Sequence, residues 1–156
     1  MTTPEITKPR LAVRALILHQ NRLLLVNAWP DGASDLWCAP GVGVERGQSL
    51  PDNLHREVHE ECGLQIAIGA PCLINEFHDP QSRFHQVDIY FRAEIIGGSI
   101  DPAWIDPAGV VMTRRFVSET ELRSLRYKPD SLPEIAWGAS AWDGRALYDA
   151  LEPIVR

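Results

Sequence analysis

Apolar positions along this chain gather into short runs separated by turn residues. Leu11 to Leu18 and Arg22 to Val26 are two β-rich runs joined by His19-Gln20-Asn21, a pattern that predicts a hairpin. After a loop from Pro30 to Ser34, Trp37 to Val44 carries aromatic and apolar residues broken by Pro40, Gly41 and Gly43, which reads as a short strand entering a glycine-rich bend. The period then changes. Leu50, Leu54 and Val58 recur at helical spacing, Ser49 stands at the N-cap with Asp52 three residues on, and Gly63 supplies a C-terminal stop, so a helix is expected from about Leu50 to Cys62. Pro51 is tolerated there because it falls in the first turn, where its missing N–H has no helical partner.

Beyond the helix, Gln65 to Ile68, Cys72 to His78 and Phe84 to Ile96 read as strands, with Asp79-Pro80-Gln81-Ser82 turning between the last two. Val110 to Val117 is a further strand candidate. Ser118-Glu119-Thr120-Glu121 is a capping-box pattern leading into a short helix through Leu125. A proline-marked loop with Trp137 and Trp142 precedes an expected C-terminal helix from Arg145 to Leu151, ended by Pro153. Met1 to Pro9 is polar and proline-punctuated and reads as a flexible arm or an edge segment. Strands, one helix, more strands and terminal helices suit a mixed sheet covered by helices, an α/β protein of the α+β type forming a single domain over 1–156.

Composition narrows the function classes. The 156 residues are 45% hydrophobic, enough for one domain with a sizeable core, and the net charge of -6 disfavours duplex nucleic acid and anionic membrane as general partners. Any phosphate-bearing substrate then needs local donors or a metal. No apolar run approaches membrane-spanning length, and Cys38, Cys62 and Cys72 show no C-x-x-C spacing, so a reduced, cytoplasmic setting is expected.

The densest chemical signal is Arg56-Glu57-Val58-His59-Glu60-Glu61-Cys62-Gly63-Leu64. On a helix turning about 100° per residue, Glu57, Glu60 and Glu61 share one face, repel one another, and occupy the last turns, where the dipole favours cations. A solvated acidic face accounts for exposed acids without explaining why they gather at that end. A bound divalent cation does explain it, and oxygen ligands select a hard ion, magnesium or manganese.

The stretch from Pro40 to Leu64 resembles the Nudix box, G-x5-E-x7-R-E-U-x-E-E-x-G-U with U aliphatic. Arg56, Glu57, Val58, Glu60, Glu61, Gly63 and Leu64 match, while Val42 replaces the first glycine and Gln48 the first glutamate. Trp37, Pro40-Gly41, Glu45 and Gly47 are residues such proteins often show nearby. The resemblance implies an α/β/α sandwich and a magnesium-dependent hydrolase. Its substrate is expected to be a small molecule, a nucleoside diphosphate linked to another moiety, cleaved at the diphosphate by activated water, with nucleoside triphosphates and dinucleoside polyphosphates as open alternatives. Glu57, Glu60 and Glu61 would hold the metal together with the Gly41 carbonyl, Glu60 or Glu61 would serve as the base, and Arg56 would orient a glutamate. Similar proteins are often homodimers.

The two departures carry physical consequences. Gln48 keeps the length of glutamate without its charge. Val42 is excluded from positive φ, so the permissive backbone of the bend is expected at Gly41 or Gly43. Both favour a second reading, a Nudix-like module that binds a nucleotide without turnover. An isomerase of isoprenoid diphosphates is a third, for which the chain is short and its cysteines lack a catalytic context. His55 and His59 read as helix-surface or packing residues. Trp29, Phe84 and Tyr90 are candidates for stacking a base, and Arg83, Arg92, Arg114 and Arg115 for a distal phosphate. Asp106 and Glu119 are candidates for an acid outside the box, and Pro80 faintly matches the downstream proline of ADP-ribose pyrophosphatases.

Overall fold

In the computed structural model, residues 8–27, 34–107, 109, 113–138 and 144–155 are described. The two runs at the start form β1 (Arg10–His19) and β2 (Arg22–Asn27), with His19 opposite Arg22. Their two-residue turn puts both Gln20 (φ 53°) and Asn21 (φ 61°) in the left-handed region, the geometry that matches strand twist in a tight hairpin. β3 (Leu36–Trp37) and β4 (Gly41–Gly43) follow, so the glycine-rich bend is itself a strand, paired antiparallel with β1.

The helix α1 spans Leu50–Cys62. Ser49 Oγ accepts from the Asp52 N–H at 3.1 Å, and Gly63, at φ 69°, closes the helix by donating its N–H to the His59 carbonyl at 2.8 Å. The expected strands Gln65 to Ile68 and Cys72 to His78 merge into one, β5 (Gln65–His78), irregular around Pro71, which cannot donate to the ladder. β6 (His85–Gly97) pairs with β5 antiparallel and with β1 parallel. β7 (Thr113–Val117) pairs with β2, and residues 110–112 of the expected strand lie outside the described residues. Ser118 and Glu121 form a full capping box on α2 (Glu119–Arg123), followed by β8 (Arg126–Tyr127).

Two differences from the sequence reading lie in the last quarter. The proline-marked loop contains a short helix, α3 (Leu132–Trp137), whose Leu132, Ile135 and Ala136 are buried. The expected C-terminal helix over 145–151 does not form. The segment instead gives β9 (Leu147–Tyr148) and β10 (Glu152–Pro153), both laid parallel on β5. Backbone donors that a helix would have satisfied locally go to the sheet: Asp149 N–H to the Ile74 carbonyl at 2.9 Å and Ile154 N–H to the His78 carbonyl at 2.7 Å. One apolar spacing in a short polar segment is weak against an edge strand offering such partners.

The main path of the mixed sheet is β10-β5-β6-β1-β2-β7. On one face Val13, Ala15, Ile17, Leu24 and Phe91 pack against Leu54, Val58 and Cys62 of α1; on the other, Leu16, Leu23, Leu25, Leu73 and Tyr90 meet Leu122, Leu132 and Ile135 from α2 and α3. The fold is an α/β/α sandwich. Among the described residues, no helix is long and apolar enough to cross a membrane.

Candidate active site

The register of β1, β6 and β5 sets one row of side chains on the face opposite α1. Arg10 pairs with Gln86, Ala12 with Asp88 and Arg14 with Tyr90, while Phe77, Asn75 and Leu73 stand beside Gln86, Asp88 and Tyr90. Period-two alternation therefore sends Arg14, Asp88, Tyr90, Asn75 and Phe77 the same way. They line a cavity of about 310 Å³ that Leu36, Cys38 and Lys128-Pro129 close on one side and Glu152 to Val155 on another.

The acids stand at the C-terminal half of α1. Glu57 is 9% and Glu61 5% exposed, and Glu60 is half-buried. Glu61 Oε2 accepts the Gly41 N–H at 3.2 Å, which ties the helix to β4. Burial raises the Glu61 carboxyl to about 8, and the charges of Glu57 and Asp106 push the same way against Arg14 and the Gly41 N–H. Glu57 is also raised, by burial first and then by Glu60 and Asp106, with Arg56 opposing. Asp106 is 4% exposed. The acid outside the box thus shares the field of Glu57 and Glu61, whereas Glu119 pairs with Arg123 within α2.

Arg56 donates from Nη1 to Glu57 Oε1 and from Nη2 to Asn53 Oδ1, each at 2.9 Å, and its Nη1 lies 3.5 Å from Glu45 Oε1. Its partners are therefore not Asp52 or Glu60, which ordinary helical pairing favours. Asn53, fully buried, also accepts from the Glu45 N–H at 3.0 Å and donates to the Ser49 and Gln48 carbonyls at 2.9 and 3.3 Å. It fastens the loop before α1 to the helix. No motif singled it out, because asparagine in a polar first turn reads as a surface residue. Gln48 is exposed and turns its Nε2 to Glu45 Oε2 at 3.4 Å.

The bend departs from expectation in one respect. Neither Gly41 nor Gly43 has positive φ; Gly47 does, at 86°. Gly41 is required for another reason: a Cβ there would lie 2.2 Å from the Val13 carbonyl oxygen and 2.5 Å from Arg14 Cγ, so the backbone rests directly on β1.

The last carbonyls of α1 have no partners near in sequence, and distant residues supply them. Trp104 Nε1 donates to the Glu60 carbonyl at 2.7 Å, Arg114 Nε to the Glu61 carbonyl, and Arg114 Nη1 to the Trp104 carbonyl at 3.2 Å. A guanidinium thus meets the negative end of the helix dipole. The Trp104 ring also covers Gly63 and takes His59 edge-on at 5.6 Å. Trp104 went unnoticed in sequence because nothing in its loop marks it.

The remaining candidates scatter. Tyr90 lines the cavity; Arg83 and Phe84 border a separate hollow with Lys8, Arg10 and His85; Arg92 donates to the Ile135 carbonyl; Arg115 lies over the Trp37 ring. Pro80 is exposed in the 79–82 turn, His55 is exposed, and Trp29 and Trp142 lie outside the described residues. Among the described residues, no three histidine, cysteine or acidic side chains form a group already set to hold a metal ion.

A family model described as NUDIX domain matches residues 8–138. An ADP-ribose pyrophosphatase of Methanocaldococcus jannaschii is 28% identical over 92 residues, a stretch covering 59% of this chain and 54% of that protein. A Bacillus subtilis relative is 27% identical over 93 residues, covering 58% of this chain and 43% of its own length. The chain spans about half the length of the curated relatives it matches. Among solved structures, a NUDIX hydrolase from Nitrosomonas europaea superposes with a TM-score of 0.72 at 22% identity, over 89% of this chain and 93% of that one. A UDP-X diphosphatase gives 0.70 at 19% identity, over 95% of this chain and 69% of the other. Likeness at such identity establishes a shared fold.

Proposed function

Because this chain belongs to the NUDIX domain family, we propose that it is a magnesium- or manganese-dependent pyrophosphohydrolase cleaving the diphosphate of a nucleoside diphosphate linked to another moiety. One observation carries the reading: Glu57 and Glu61 are buried together on α1, both pushed up by Asp106 and Glu57 also by Glu60, with the Gly41 N–H on Glu61. Carboxylates buried side by side are costly to ionise even with Arg56 on Glu57 and Arg14 acting on Glu61. An oxygen-only donor set of this kind fits a hard divalent cation. Glu57, Glu60 and Glu61, with the Gly41 carbonyl, are the residues that would hold it. When bound, such an ion supplies charge neutralisation for the diphosphate and acidification of water.

The chain's own groups do the rest. Arg56 orients Glu57 through the 2.9 Å hydrogen bond, and Glu60 or Glu61 takes the proton of the attacking water. The cavity lined by Tyr90, Phe77 and Asn75 receives the nucleoside, with apolar walls for its ring and polar groups for its edges. The match to an ADP-ribose pyrophosphatase supports a two-moiety diphosphate as substrate, and three free cysteines suit the reducing cytoplasm. The test is a panel of nucleoside diphosphate derivatives with magnesium, products being resolved by chromatography. Glu60→Gln and Glu61→Gln are expected to lower turnover by about 1,000-fold or more, as removal of groups acting on the reacting centre does. Binding across the panel without product would favour the nucleotide-sensing reading, which Gln48 supports by directing its uncharged amide to Glu45.

A further inference from the structure

The strangest group outside the acids is Arg14. It lies on a sheet face whose neighbours Leu16, Leu73 and Tyr90 belong to the apolar core, and its partner Asp88 is 2% exposed. Arg14 Nε donates to Asp88 Oδ2 at 2.8 Å, while Gln86 Nε2 donates to Asp88 Oδ1 at 2.7 Å. Its other arm leaves the pair: Nη1 donates to the Ala39 carbonyl at 2.8 Å.

Two residues on, the same loop gives the Gly41 N–H to Glu61. The Pro40 carbonyl is fixed too, by the Ala15 N–H at 2.9 Å, and Gly41 sits opposite Arg14 in the β1–β4 register with no room for a Cβ above the arginine stem. Arg14 thus touches the loop through its backbone, its stem and its guanidinium. Burial works hardest against the guanidinium charge, and Asp88 together with Cys38 and Tyr90 outweighs it and holds the group charged; that charge also opposes the rise imposed on Glu61.

A buried ion pair is a poor way to stabilise a sheet, because well-packed apolar residues of similar volume often do as well or better. The planar fork does something an apolar residue does not: it fixes two directions at once, one toward β6 and one toward the Ala39–Gly41 loop. We propose that Arg14, held by Asp88, is a positioning residue that sets the Ala39–Gly41 loop against Glu61 and thereby shapes the divalent-cation site. This rests on the reading of the acids given above.

The test replaces the pair as a unit, so that neither charge is left buried alone. In Arg14→Met/Asp88→Leu the melting temperature is expected within about 5 °C of the parent. Its kcat should fall 10- to 100-fold, the usual cost of losing a group that orients a metal ligand, and Mn²⁺ affinity without nucleotide, read from free-ion electron paramagnetic resonance, should weaken about tenfold. Arg14→Lys, which keeps the charge without the fork, should recover part of both. A folded double variant with parental kcat and Mn²⁺ affinity overturns the proposal, and so does a loss confined to KM, which would make the pair mere cavity lining. If the double variant fails to fold, Arg14→Lys alone decides by the same two readouts. A parent protein without turnover on any nucleotide sinks the hydrolase reading, and Mn²⁺ affinity still tests Arg14.

Discussion

Glu61 is one of the proposed metal ligands, and its buried environment makes that role measurable. Burial pushes its carboxyl up to about 8 from the 4.5 of an unperturbed glutamate. Between those values the folded protein binds more protons than the unfolded chain, so stability falls as pH rises through that window. The melting temperature of chelator-treated protein should therefore drop between about pH 5 and about pH 8, and magnesium should raise it more at the upper pH than at the lower. Glu61→Gln should flatten the slope. Equal magnesium shifts at both pH values would contradict the assignment. The candidate acids were legible because like charges on one helical face demand an explanation. Asn53 was not, since a buried asparagine looks like an exposed one until its four partners are placed.

Among the elements, α1 was the most legible and its C-terminus the least. Ser49, Leu50, Leu54, Val58 and Gly63 are local signals, and a helix responds to local signals because its hydrogen bonds close within four residues. The donors to the carbonyls of the last turn come from Trp104 and Arg114, far along the chain. Gly63 joins both kinds of constraint. It needs φ 69°, and a Cβ would lie 2.9 Å from the Trp104 ring. Gly63→Ala should cost about 2 kcal/mol or more in urea unfolding, beyond the ordinary price of alanine at positive φ, because the indole that caps the Glu60 carbonyl must also move. A cost under about 0.5 kcal/mol would mean that Trp104 does not hold its place against the helix end. The C-terminal segment went the other way: its weak helical pattern lost to strand pairing offered by β5.

At the scale of the whole molecule, that segment makes a wall of the cavity. Asp149 accepts from Ser131 Oγ at 2.6 Å and from Asn75 Nδ2 at 3.2 Å, joining the start of α3 to β5 and holding β9 and β10 in place. Asp149→Ala should lower stability by about 1–3 kcal/mol and raise KM for the nucleotide several-fold while leaving kcat nearly unchanged, because the acids on α1 lie across the sheet. An equal fall in kcat would place this wall closer to the reacting centre. By itself, the sequence determined the β1–β2 hairpin, the span and stop of α1, the run of acids and the family they resemble. Each depends on residues a few positions apart. Only the tertiary structure decided that Arg14 and Asp88 meet 74 residues apart, that Arg114 caps α1, and that Leu147–Tyr148 and Glu152–Pro153 become strands, the second walling a cavity. Those outcomes depend on which surfaces are left exposed once the sheet has formed, and no short-range pattern encodes that.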